Sequence, residues 1–296
     1  MDFKSGFITV VGRPNVGKST LINRITGEKI SIVSDKPQTT RNAIKAIYTT
    51  DNFQMIFIDT PGIIKPKNKL GEYMVKIALE SLDGIDAVIF VVDSTVQTPG
   101  KGDIEIMNQL KQTKTPVFLV LNKIDLVKKE NLLSLIAQYS SYMEFKAVVP
   151  LSSLTGDGVD ILIDEVVKVL PEGPKYFSDD IITDQQERDI VAEIIREKLL
   201  LLLKQEVPHG IGVEIVSFKE REDKDLIHID ANIYCEKESH KGIIIGKNGE
   251  LLKKAATLAR EEMENLFKKK IYLQLWVKVK KDWRNDQSVL RTLGYK

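Results

Sequence analysis

Gly12, Arg13, Pro14, Asn15, Val16, Gly17, Lys18 and Ser19 read GRPNVGKS, two glycines separated by four residues and followed by a lysine and a hydroxyl. That pattern can cradle phosphates. The glycines let backbone N–H groups turn inward, a helix starting near Lys18 offers its positive end, and the lysine ammonium bridges the β- and γ-phosphates. On this reading Asn15, Val16, Gly17, Lys18, Ser19 and Thr20 wrap a nucleoside triphosphate, with Ser19 on Mg²⁺. Alone, the run also fits a glycine-rich turn capping a helix.

Four further elements narrow the chemistry. Asp59, Thr60, Pro61 and Gly62 read DTPG, which places a carboxylate near the Mg²⁺ and a backbone N–H where the γ-phosphate can be sensed. Asn122, Lys123, Ile124 and Asp125 read NKID. A carboxylate at Asp125 accepts from the N1–H and exocyclic amine of guanine; adenine offers neither donor and would leave the carboxylate unpaired. Ser152 and Ser153, in LSSLTG, are expected to complete the base pocket through a backbone or hydroxyl contact. Thr39 and Thr40, in PQTTR, stand where a threonine closes over Mg²⁺, and Thr40 is preferred. Metal ligands are thus expected at Ser19, Thr40 and Asp59, and hydrolysis is expected to rest on Lys18, Thr40, Asp59 and Gly62. Ile63 follows Gly62 and cannot orient an attacking water, so slow intrinsic turnover is expected, with help in trans or from a monovalent cation.

These residues need a scaffold that brings strand ends together. Six β-branched runs qualify as strands: 7–11, 43–49, 53–59, 87–93, 117–122 and 147–151. Helical stretches separate most of them, which predicts an α/β fold with a mostly parallel six-stranded sheet. GRPNVGKS, DTPG, NKID and LSSLTG all fall where such sheets bind ligands, beyond the carboxyl ends of strands. The run LPEGP at 170–174 breaks the pattern, so a nucleotide-binding domain is expected over 1–172, a linker over 173–182 and a second domain over 183–296. Thr183 and Gln186 have capping-box spacing for the helix that opens the second domain.

The second domain reads as αββααβ with a C-terminal tail. From 236 to 296 there are 15 Lys and Arg against 8 Asp and Glu, although the whole chain of 296 residues has a net charge of only +1. Local basic excess attracts phosphate backbones. Within GIIIGKNGE, Gly246 and Gly249 bracket Lys247 and Asn248 between an apolar run and a helix. This resembles a KH-domain GXXG loop, in which close backbone approach and an apolar groove accept single-stranded nucleic acid. Gly242, Ile245, Gly246, Lys247, Asn248, Gly249 and Lys253 are the expected RNA contacts. In the last strand Ile271, Leu273, Leu275, Val277 and Val279 alternate with Tyr272, Gln274, Trp276, Lys278 and Lys280. Tyr272 and Trp276 are expected to pack against a helix rather than stack bases.

The single cysteine, Cys235, excludes an internal disulfide, and the apolar runs are far shorter than the roughly 20 residues of a membrane span. A reducing cytoplasm, without a cleavable leader, is expected.

GRPNVGKST, PQTTR, DTPG, NKID and SSLTG, followed by LPEGPKYF, ITDQQERDIVAEIIREKLL and GIIIGKNG, resemble the bacterial Era GTPase family over nearly the whole chain. The resemblance implies a P-loop GTPase domain followed by a smaller α+β type II KH domain, GTP/GDP and Mg²⁺ as ligands, and K⁺ held beside the phosphates with help from Asn15. It further implies binding near the 3′ end of 16S rRNA, a role in 30S ribosomal subunit assembly, a monomeric state and loose peripheral membrane association. An RNA-binding assembly module with a mainly structural nucleotide, and a membrane-associated signalling GTPase, are the alternatives.

Overall fold

The computed structural model describes residues 3–63, 65–203, 207–221 and 225–295. The chain divides into two compact units, the first comprising Met1–Val33, Thr40–Lys65 and Met74–Asp184, the second Ser34–Thr39, Pro66–Tyr73 and Gln185–Lys296.

The first unit is built on six strands: β1 (Lys4–Val11), β2 (Ile44–Thr49), β3 (Phe53–Asp59), β4 (Ala87–Asp93), β5 (Val117–Asn122) and β6 (Ala147–Pro150). Their order is β2-β3-β1-β4-β5-β6, with only the β2–β3 hairpin antiparallel. β4 is AVIFVVD and β5 is VFLVLN, nearly continuous apolar runs, because both of their faces are covered. Ile8, Val10, Ile89, Val91, Phe118 and Val120 pack on one side with α1 (Lys18–Thr26) and α5 (Val159–Val169). Val88, Phe90, Val92, Leu119 and Leu121 pack on the other with α3 (Lys101–Leu110) and α4 (Lys129–Tyr142). β1 is bonded to β3 on one side and β4 on the other, so the chain changes winding direction there and leaves a crevice at its carboxyl end.

The segment after Leu170 runs back over this unit. Gln54, fully buried in β3, donates to the Phe177 carbonyl at 2.8 Å and accepts from the Tyr176 and Phe177 amides at 2.7 and 3.0 Å. Thr183 does not cap a helix: its hydroxyl donates to the Lys45 carbonyl at 2.7 Å, and its backbone bridges to Ala46. The next helix therefore starts later than the capping-box spacing suggests, as α6 (Glu187–Leu202), with Gln186 at its N-cap.

In the second unit α6 is followed by β7 (Gly212–Arg221), β8 (Leu226–Cys235), α7 (Glu238–Ile245), α8 (Glu250–Phe267) and β9 (Lys270–Val279), the expected αββααβ order. β7 is antiparallel and β9 parallel to β8. Ile227, Ile229, Ala231, Ile233 and Cys235 alternate inward along β8 against Val191, Ile195 and Leu199 of α6 and Ala255, Ala259 and Met263 of α8. The expected tail is ordered as a 3₁₀ turn (Trp283–Asn285) and α9 (Gln287–Thr292). Trp283 is fully buried and its indole donates to the Gly210 carbonyl at 2.9 Å.

Gln54→Leu keeps the volume of the side chain but strands three backbone groups of the 176–177 segment. It is expected to lower stability by about 2–3 kcal/mol, read as the shift of a chemical denaturation midpoint; an unchanged midpoint would mean that segment is held by something else.

Candidate nucleotide site

The GRPNVGKS loop joins β1 to α1, as phosphate binding requires. Gly17 precedes the helix at φ 102, where side chains are strained, and a Cβ there would lie 2.1 Å from Nδ2 of Asn122. That approach matters because Asn122 ties three loops together. Its Nδ2 donates to the Val16 carbonyl at 2.8 Å, and its Oδ1 accepts from the Ser153 amide and hydroxyl, both at 2.9 Å. Gly62 allows a second close approach: a Cβ at that position would sit 2.6 Å from the Pro14 nitrogen. Beside it the Ile63 amide donates to the Gly12 carbonyl at 3.3 Å.

Lys18 and Asp59 are both buried at the floor of the crevice. The Lys18 ammonium donates to the carbonyls of Gly12 and Arg13 at 3.1 and 3.0 Å. Burial pulls its pKa down to about 8, with the Asp59 charge resisting. Asp59 moves the other way: burial raises its pKa, while Lys18 and the neighbouring hydroxyls of Ser19, Ser31 and Thr40 pull it back. Its Oδ2 accepts from the Ser19 hydroxyl at 2.7 Å, and Ser19 meets the Thr40 hydroxyl at 3.0 Å. The other carboxylate oxygen, Oδ1, is buried without a hydrogen-bond partner. Two hydroxyls and a half-satisfied carboxylate form a hard oxygen set that suits Mg²⁺, whose remaining ligands come from phosphate and water. Among the described residues no group of three or more His, Cys, Asp and Glu could hold a metal by itself.

Thr40, rather than Thr39, reaches this cluster. The Thr39 hydroxyl is turned back onto the Lys36 carbonyl at 2.6 Å. Ile63 is buried in the apolar cluster of β4 and β5 and carries no polar group that could orient an attacking water.

On the base side, Lys123 adopts φ 69 and its ammonium binds the Asn15 carbonyl at 2.9 Å and Asp93 at 2.6 Å. Burial raises the Asp93 pKa, but the hydrogen bonds from Lys123 and Thr95 outweigh it and hold the carboxyl below its ordinary value. Asp93 was not anticipated, although its place at the carboxyl end of a central strand is a usable signal. Asp125 is exposed in the turn Ile124–Leu126. Ser152 and Ser153 are both buried with their hydroxyls engaged, Ser152 accepting from the Thr155 amide at 3.2 Å and Ser153 donating to Asn122. Their backbone amides are taken as well, that of Ser152 by the Asp157 carbonyl at 2.9 Å and that of Ser153 by Asn122. Thr20 lines a neighbouring cavity of ≈ 340 Å³ together with Arg24, Lys29, Ser153 and Leu154. Arg24, also unanticipated, donates to the Ser153 and Leu154 carbonyls and so shapes this loop.

In the second unit Gly246 (φ 75), Asn248 (φ 53) and Gly249 (φ 79) turn the chain between α7 and α8. Lys247, Asn248 and Lys253 are exposed, as is Gly242, while Ile245 is half-buried against the core. Tyr272 and Trp276 do not pack against a helix. They are 49% and 43% exposed, because the aliphatic side of β9 takes the helix-facing positions.

Comparison with known proteins agrees with this geometry. Residues 7–123 match the family described as 50S ribosome-binding GTPase, and residues 206–284 match the KH domain. GTPase Era of Ruminiclostridium cellulolyticum is 59% identical over 296 residues, covering 100% of this chain and 99% of the relative. The chain belongs to the GTPase Era family. GTPase Era of Alkaliphilus oremlandii is likewise 59% identical over 295 residues, with 100% of both chains covered. A crystal structure of Era in complex with MgGDPNP and nucleotides 1506–1542 of 16S ribosomal RNA superimposes with a TM-score of 0.95 at 41% identity, over 99% of each chain. An Aquifex aeolicus Era variant bound to GDP·AlF₄⁻ gives the same values. The protein is a GTPase with a P-loop domain and a C-terminal KH domain.

Gly17→Ala is expected to displace Asn122 and cost about 1–3 kcal/mol of stability, measured by chemical denaturation. An unchanged midpoint would show that the three loops can part freely.

Proposed function

We propose that this chain binds GTP with Mg²⁺, hydrolyses it slowly, and uses the nucleotide state to control its hold on 16S rRNA near the 3′ end during assembly of the 30S subunit. The carrying observation is the cluster of Ser19, Thr40 and Asp59 beside Lys18, with an unpartnered carboxylate oxygen at its centre. The Era structure holding both MgGDPNP and an rRNA segment supports the same pairing of ligands.

Each residue then has a defined task. Lys18 exchanges its two loop carbonyls for the β- and γ-phosphates, and Asn15, Val16, Gly17, Ser19 and Thr20 present the loop and helix N-terminus around them. Asp59, Ser19 and Thr40 hold Mg²⁺, which neutralises the phosphate charge that builds up during transfer to water. The Gly62 amide meets the γ-phosphate. Asp125 accepts from the guanine edge, Lys123 fixes the loop beneath the base, Asn122 locks the loop to the P-loop, and the loop at Ser152 and Ser153, anchored by Asn122, closes the pocket. Ile63 supplies no group to orient water, so turnover is slow. Asn15, exposed at φ 64 within the phosphate loop, helps K⁺ compensate on this reading.

Coupling has a physical path. Ser34–Thr39 belongs to the second unit, where the buried Arg196 guanidinium donates to the carbonyls of Gln38 and Thr39 and is held by Glu193. The next residue, Thr40, sits with Ser19 and Asp59. The two bonds on neighbouring residues, Thr39 to Arg196 and Thr40 to Ser19, support this reading. Gly242, Ile245, Gly246, Lys247, Asn248, Gly249 and Lys253 bind the RNA strand. The site of action is the cytoplasm, where buried Cys235 stays reduced; among the described residues no helix is long and apolar enough to cross a membrane.

GTP turnover is measured with and without a 3′-terminal 16S rRNA fragment, in KCl and in NaCl. Slow turnover alone, a several-fold rise with RNA and a further rise in KCl are expected. Rates indifferent to RNA, together with equal RNA affinity in GTP-analogue and GDP states, would refute the switch; equal rates in the two salts would remove K⁺.

A further inference from the structure

Among the described residues the long helices of the second unit lie on one face of its sheet; on the other, Trp283 and Leu293 of the tail stand over Gly212 at one end. α6 and α8 cover the side of Ile227, Ile229, Ala231, Ile233 and Val277. The other side carries the alternate residues of β8 and β9, paired in register as His228 with Tyr272, Asn232 with Trp276 and Tyr234 with Lys278. Tyr272 and Trp276 lie four residues apart on β9, roughly 13 Å along the strand, and both rings are exposed. His228 packs edge-on to Tyr272, with ring centroids 4.9 Å apart, which holds that ring in place.

Cations surround the rings. Lys219 pairs with His228 from β7, Lys278 follows Trp276 on the same face, and both are exposed. The Lys280 ammonium lies 5.6 Å from the Tyr234 ring centroid. The carboxylates of this face are turned to their neighbours: Asp230 is bonded to His228 at 3.0 Å, and Glu214 accepts from Asn232 and the Tyr234 hydroxyl at 2.8 and 2.6 Å. Exposed aromatic rings fixed on a rigid sheet, separated by polar residues and flanked by lysines, match single-stranded nucleic acid, whose bases stack on the rings while phosphates meet the cations. A protein-docking face would instead present adjoining apolar side chains, and here Gln274, Asn232 and Lys278 interrupt them.

We propose that this open sheet face is a second binding surface for single-stranded RNA, separate from the Gly246–Gly249 loop, with unpaired bases stacking on Tyr272 and Trp276. It rests on the RNA-binding reading above and extends it: the loop grips one stretch of the strand and the sheet face another.

The full chain offers a direct readout, because it has only two tryptophans and Trp283 is fully buried. Quenching by oligoadenylate of about 12 nucleotides, a length within single-strand site sizes, therefore reports Trp276. Lys247→Asp combined with Asn248→Asp disables the loop. In that variant quenching is expected to persist, and Tyr272→Leu added to it should weaken oligonucleotide binding about 5- to 150-fold, the range for one stacked base, with GTP turnover alone unchanged. If RNA binds the wild-type chain by anisotropy but Trp276 is not quenched, or if Tyr272→Leu and Trp276→Leu leave affinity unchanged, the sheet face is refuted and the loop reading stands. If no RNA binds, both fall. Concentration-dependent self-association abolished by Trp276→Leu would assign the face to a second copy of the chain and overturn the proposal.

Discussion

A lysine and an aspartate are held together out of water, and the nucleotide site depends on that arrangement. Lys18 is supported by two carbonyls and Asp59 by one hydroxyl, which leaves both charges poorly compensated. Burying ions in this way costs several kcal/mol each unless strong partners are supplied. A phosphate group on Lys18 and a divalent cation on Asp59 supply them. The first unit thus keeps a destabilised charge pair whose relief is the binding of its ligand. Stability held elsewhere, in the two apolar layers of the six-stranded sheet, makes this affordable.

The surrounding structure keeps those charges in register. β1, β3 and β5 end at the same edge and deliver the phosphate loop, Asp59 and Asn122 respectively. Asn122 then bonds two of the loops with one side chain, and the small volume of Gly17 and Gly62 lets the backbones come close enough. Thr40 closes the ring, and its chain neighbour Thr39 is claimed by Arg196.

Much of this was legible in the residue order. Continuous apolar runs in β4 and β5 mark strands covered on both faces, and strict alternation in β9 marks a sheet with one buried face; both patterns reflect local geometry. The phosphate loop was legible because its glycines stand where a Cβ would meet the Val91 carbonyl or Asn122. What escaped depends on partners distant in sequence. Thr183 has a capping partner at the right spacing, yet the Lys45 carbonyl takes its hydroxyl. Ser152 and Ser153 look available until the Thr155 turn and Asn122 engage their hydroxyls. Asp93 has no motif of its own and matters only through Lys123. Tyr272 and Trp276 alternate with aliphatic residues, and aromatic bulk suggested burial; the aliphatic row won because it fits the small residues Ala255 and Ala259 of α8.

The central claim is that burial lowers the pKa of Lys18 to about 8 in the free protein and that a bound phosphate raises it again. Linkage fixes the sign: with a pKa of about 8 in the free protein, a raised pKa in the complex requires proton uptake on binding above that pH and little below it. Calorimetry of GDP binding without Mg²⁺, repeated in buffers of different protonation enthalpy, counts those protons. The account predicts uptake approaching one proton per nucleotide near pH ~9 and close to zero near pH ~7, the uptake near pH ~9 being lost in Lys18→Met. Binding of full affinity with no uptake near pH ~9 would contradict it.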